Sequence, residues 1–183
     1  RYSSSAASDV YKRQSQTLSH STDSATVNTT LICLATDNSH WRTYDLAAEG
    51  ICTPISVNSI TMGIFVAIAD TGGQQPITVR LYKDPTPGAI APIAGLNMVH
   101  SEVFQIADQT NSVVTLNLSS SVSFAHTDTL VVEVYSAAIF NAGLDDFRIG
   151  ANGLGESDPS YINVPCGGAT AERHLLNSGL NFR

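Results

Sequence analysis

The residues able to do chemistry are spread thinly along the chain. The five histidines, His20, His40, His100, His126 and His174, are isolated from one another, and none falls in an HExxH pair. No GxSxG elbow marks a nucleophile, and Ser160 stands beside Tyr161 with no sequence signature of activation. Glu102, Glu133 and Glu156 supply carboxylates of the kind a glycoside hydrolase pairs across a cleft. Such a pair needs a defined separation, and solvated strand faces account for these glutamates more simply. Gly150–Gly155 (GANGLG) lacks the lysine and following helix of a phosphate loop and reads as a turn. Two groupings are chemically more specific. Asp37 and Asn38, joined by Asp145 and Asp146 if their loops converge, offer the hard oxygen ligands of a structural calcium site, although both pairs also suit turn capping. Trp41 and Tyr44 offer aromatic faces on which a sugar ring could stack, with Arg42 or Asp45 bonding its hydroxyls.

Strand alternation puts Trp41 and Tyr44 on opposite faces, so at least one, and Trp41 foremost, is expected to anchor a core. The clearest strand spans Ser56–Ala69, where Ile60, Met62, Ile64, Val66 and Ile68 recur at period two. Gly63 inside it is expected to mark a bulge or a close approach of another backbone. Asp70–Gly73 forms a turn, and Ile77–Tyr82 alternates as the expected hairpin partner. Further strands are expected at Thr29–Leu34, Trp41–Leu46, Ser101–Ile106, Val113–Leu118, Thr129–Tyr135, around Phe147 and Ile149, and at Tyr161–Val164. Thr36–Ser39 reads as a turn, Pro85–Pro92 as an exposed loop, and Ala169–Leu176 as the one modest helical candidate. Eight to ten short strands separated by turns predict an all-β fold, an antiparallel β-sandwich of jelly-roll-like type, with a closed barrel as the alternative.

Composition narrows the function classes. The chain has 183 residues, enough for one domain with a real core, and only 14% of them are charged, well below the usual quarter. A net charge of −7 argues against nucleic acid, which demands a basic footprint, and against anionic membrane surfaces. No apolar run reaches the roughly 18 residues of a membrane-spanning helix, so membrane insertion is not expected.

Residues Ser4–Gln14 (SSAASDVYKRQ) resemble the in-frame translation of a transposase sequencing adapter. Residues 1–14 are therefore expected to be non-native, 15–28 a polar linker with little to bury, and 29–183 a single β-sandwich domain from a larger protein. Arg1, Lys12 and Arg13 against Asp9 give the first segment +2, which leaves −9 on the remainder of the −7 chain.

The three cysteines, Cys33, Cys52 and Cys166, match no zinc spacing. In an oxidising compartment, one disulfide and one free thiol are expected. Cys33–Cys166 would tie the first strand to the end of the domain, closing a loop worth roughly 4–5 kcal/mol on a chain-entropy argument. Cys33–Cys52 is the rival pair, and three reduced, buried thiols are the remaining arrangement.

Thr36–Leu46 (TDNSHWRTYDL) resembles the HTDNSYWRVFDL-type motif of a β-rich module found in secreted bacterial proteins, often multidomain. The resemblance continues in order through Val57–Ile64 (VNSITMGI), Gln75–Tyr82 (QPITVRLY), Leu130–Val134 (LVVEV) and Ile149–Gly167 (IGANGLGESDPSYINVPCG). Ala35 stands where the motif usually has histidine, and Cys52 is extra to the pattern. The resemblance implies an exported protein and supports the Cys33–Cys166 pair; it implies no catalytic residues and no cofactor. The expectation is a non-catalytic accessory module of a secreted or surface bacterial protein. Its role would be structural, adhesive, or binding to a surface glycan or protein, beside other domains of the same parent chain. A divergent secreted hydrolase and a self-assembling surface subunit are the competing readings.

Overall fold

The computed structural model describes residues 16–21, 27–28, 38–70, 72–85, 95–137, 145–158, 160–163 and 174–176. The nine strands described are β1 (Asn38–Asp45), β2 (Ile55–Ile68), β3 (Gln74–Asp84), β4 (Asn97–Ala107), β5 (Gln109–Phe124), β6 (Thr129–Ser136), β7 (Asp146–Ile149), β8 (Ser160–Asn163) and β9 (His174–Leu176). They pair antiparallel in two sheets: a six-stranded sheet in the order β4-β3-β6-β1-β8-β9, and a three-stranded sheet in the order β5-β2-β7. The expected β-sandwich is the observed architecture, with a chain that passes repeatedly from one sheet to the other. No helix among the described residues is long and apolar enough to cross a membrane.

Period-two alternation builds the core. Met62 and Ile64 of β2, Ile77, Val79 and Leu81 of β3, and Leu130 and Val134 of β6 meet in one buried cluster with Leu116, Phe124, Phe147 and Ile149. The β2–β3 connection corrects an expectation. These strands are not hairpin partners, because β2 pairs with β5 and β7 while β3 pairs with β4 and β6. Their apolar faces meet across the sandwich rather than side by side, and alternation alone is satisfied by either arrangement. Gly72 and Gly73, at φ 85 and 63, carry the chain across. Asp145 braces this arch, accepting from the Asp70 amide and from Gln75 Nε2, both at 2.9 Å.

The strand Ile55–Ile68 does not keep one phase throughout. Pairing with β7 shifts between Ile64 and Val66, and beyond that bulge Ala67 enters the core while Ile68 is 45% exposed. Gly63 is a site of close approach, as expected: a Cβ there would lie 2.8 Å from Val27 Cγ2 and 3.3 Å from Gly150 O. The Gly150 amide donates to Gly63 O at 2.9 Å, so the two backbones touch directly.

Three further expectations are corrected. Asn38 and Ser39 open β1 rather than forming a turn, because they pair with Ser136 and Tyr135 of β6. His174–Leu176 of the helical candidate is strand β9, held by pairing with β8. The supposed linker contributes to the fold: Leu18 packs against the main core, His20 is buried, and the Asn28 amide donates to Ala151 O at 3.0 Å. The expected strand Thr29–Leu34, residues 1–14 and positions 86–92 of the proline-rich loop lie outside the described residues.

Candidate functional site

Strand β1 presents polar side chains on both faces of its sheet, and each set gathers partners from distant segments. Cross-strand register places Trp41 opposite Glu133 of β6 and Tyr161 of β8, on the face turned away from the three-stranded sheet. Trp41 is 2% exposed and packs against Tyr82, ring centroids 5.4 Å apart, and Val131. Beside it the Glu133 carboxylate accepts from Ser39 Oγ at 2.6 Å, Tyr82 OH at 2.6 Å and Arg80 at 3.0 Å. Burial and the Glu133 charge push the Tyr82 phenol well above its ordinary range, so it remains a hydrogen-bond donor. Glu133 is only 2% exposed, which corrects the solvated-face reading. Three donors satisfy its carboxylate, and that is the condition under which a charge can leave water.

The opposite face of β1 carries His40, Arg42 and Tyr44. The buried Arg42 donates to Glu156 Oε2 at 2.9 Å and to Ser160 Oγ at 2.6 Å, and Ser160 donates in turn to Glu156 Oε2 at 2.8 Å. Glu156 is half-buried and paired rather than on a solvated strand face as expected. Ser160 has no exposed surface and already engages both its neighbours. Tyr44 lies next to this triad, its phenol raised by burial while Arg42 pulls the other way.

The N-terminal segment closes this end of the sandwich. His20 lies against Tyr44, with ring centroids 4.5 Å apart, and its carbonyl accepts the Ser157 amide at 2.8 Å. Its Nε2 is 2.7 Å from Glu49 Oε1 and 3.7 Å from Asp158 Oδ2. Ser21 forms a backbone bridge with Glu156. Three segments thus converge: residues 16–21, the turn after β1, and the approach to β8.

The residues expected to bind ligands fall elsewhere than a ligand would need. Trp41, Arg42 and Tyr44 are all buried. Stacking on a sugar requires an open ring face, so Trp41 serves as a packing anchor and the platform reading fails on burial. Asn38 is buried on β1 in the six-stranded sheet, whereas Asp146 begins β7 in the three-stranded sheet. Asp146 pairs with Arg148 at 2.7 Å, and Asp145 bonds the arch between β2 and β3. Asp37, their proposed companion, lies outside the described residues, as do Cys33 and Cys166. Cys52 is a free, exposed thiol. His20, Glu49, Glu156 and Asp158 were not legible as a group. They are separated by up to 138 positions, and no local spacing announces their convergence. Comparisons with protein-family models, curated proteins and solved structures gave no match.

Proposed function

We propose that this chain is a non-catalytic accessory module of a secreted or surface bacterial protein, with a structural, adhesive, or glycan- or protein-binding role. One observation carries the reading. The side chains best suited to acyl or glycosyl transfer, the buried Ser160 and Glu133 and the half-buried Glu156, are hydrogen-bonded to fixed partners of the same chain. A nucleophile needs a substrate within reach and a base free to take its proton. Ser160 instead donates to a carboxylate already paired with Arg42, an arrangement that locks strands together. A net charge of −7 disfavours nucleic acid as the partner. A Cys33–Cys166 disulfide belongs to the same proposal, and non-reducing peptide mapping tests it by recovery of the linked pair.

The test of the main reading is a turnover screen on chromogenic esters, peptides and glycosides, run on the wild-type chain and on Ser160→Ala and Glu156→Gln. No turnover that depends on these residues is expected. Activity abolished by either substitution in a folded variant would replace the module reading with the hydrolase.

A further inference from the structure

We infer that His20, Glu49 and Asp158 form a binding site for a first-row transition-metal dication, with zinc as the natural probe. The three residues come from three separate segments, and their donor atoms all lie within 4.8 Å of one another. His20 Nε2 faces the oxygens of two carboxylates, at 2.7 Å from Glu49 and 3.7 Å from Asp158. A proton on Nε2 satisfies only the nearer carboxylate. A dication between the three satisfies all of them and neutralises the two negative charges. Small side-chain rotations would bring each donor to about 2.0–2.2 Å from such an ion, the usual distance for imidazole and carboxylate ligands of zinc.

The mix of donors sets the class of metal. An imidazole nitrogen beside two carboxylates suits zinc and its neighbours, whereas calcium prefers a shell built of oxygen alone. The imidazole is fixed from behind by Tyr44 and is 3% exposed, while Asp158 is 59% exposed. The site is therefore anchored on its inner side and open on its outer side, where water can complete the coordination. His20 Nδ1 is buried and has no hydrogen-bond partner. Metal-bound histidines usually donate their second nitrogen to an acceptor, and losing that support weakens binding about 10–100-fold. Bound metal would clip the N-terminal segment to the turn after β1 and to the approach to β8.

Isothermal titration of the full, chelator-stripped chain with zinc chloride, and separately with calcium chloride, tests the site. One saturable zinc per chain is expected, with a rise in melting temperature and no saturable calcium binding. Asp158→Asn, at an exposed position, should weaken zinc binding at least tenfold while the unliganded chain melts as wild type. His20→Gln should abolish binding. Cys52→Ser should leave it unchanged, which separates the site from the exposed thiol. Absence of saturable zinc binding, loss of it in Cys52→Ser, calcium binding as tight as zinc, or unaltered affinity in Asp158→Asn would overturn the inference. The last variant decides the matter even if His20→Gln fails to fold.

Discussion

At the scale of the residue, burial decides what each polar side chain can be. His40 sits on β1 opposite Val134 and Ile162, and burial depresses its pKa from 6.5 to about 4. The unfolded imidazole titrates near 6.5, so between the two values the unfolded chain binds more protons than the native one. Stability from this group is therefore complete above about pH 6.5, declines as pH falls, and levels off below about 4. The shift corresponds to about 3 kcal/mol. Carboxylates held low in the native state, such as Asp128 bonded to Lys83, begin to lose their contribution only below about pH 5, so the upper part of the window belongs to His40. Urea unfolding from pH 7 to 4 should show the decline in the wild-type chain and a much flatter profile in His40→Gln. An identical slope in both would assign the effect to another group. Glu133 makes the complementary point. In the sequence it is one polar residue in an alternating strand, which ordinarily means solvent. Its burial depends on Ser39, Arg80 and Tyr82 arriving from other strands, and no local pattern records that.

At the scale of the element, alternation made most strands legible, because a sheet with one buried face imposes period two on its residues. Ser56–Ala69, Ile77–Tyr82 and Thr129–Tyr135 all correspond to observed strands. What alternation leaves open is the neighbour of each strand, hence the β2–β3 connection read as a hairpin but found to be an arch. It also misses a change of phase such as the one beyond Ile64. A glycine is more telling: Gly63 was legible as a close approach, and its partner proves to be Gly150, with Val27 laid over both. A methyl group at Gly150 would collide with Val27 Cγ1 and come within 3.1 Å of the Gly63 backbone. Gly150→Ala should therefore cost about 1–3 kcal/mol of stability. Combining it with Val27→Ala should recover part of that loss, so the double variant is more stable than the sum of the single effects requires. Strict additivity in denaturant melts would mean that Val27 does not occupy this contact in solution.

At the scale of the whole molecule, the boundary of the domain is set by what covers the open end of the sandwich, and composition misjudges it. Residues 15–28 are rich in serine and threonine and carry few apolar side chains, which is why they read as a linker. Yet Leu18 joins the main core, Val27 packs on the paired glycines, and His20 closes over Tyr44 beside the Arg42–Glu156–Ser160 triad. A few well-placed side chains suffice, because the strands they cover have already paid the entropy of forming a sheet. Two truncations separate the segments. A chain starting at Ser15 should melt as the full chain does, since the adapter-like residues 1–14 are expected to contribute nothing. A chain starting at Thr29 loses two packed aliphatic side chains and the His20–Glu49 bond, and should be destabilised by roughly 3–5 kcal/mol. It should also expose Tyr44, visible as a shift in tyrosine fluorescence and faster amide exchange along β1. Equal melting of all three chains would restore the linker and return the domain boundary to residue 29. Destabilisation on removing residues 1–14 alone would make that segment part of the folded unit.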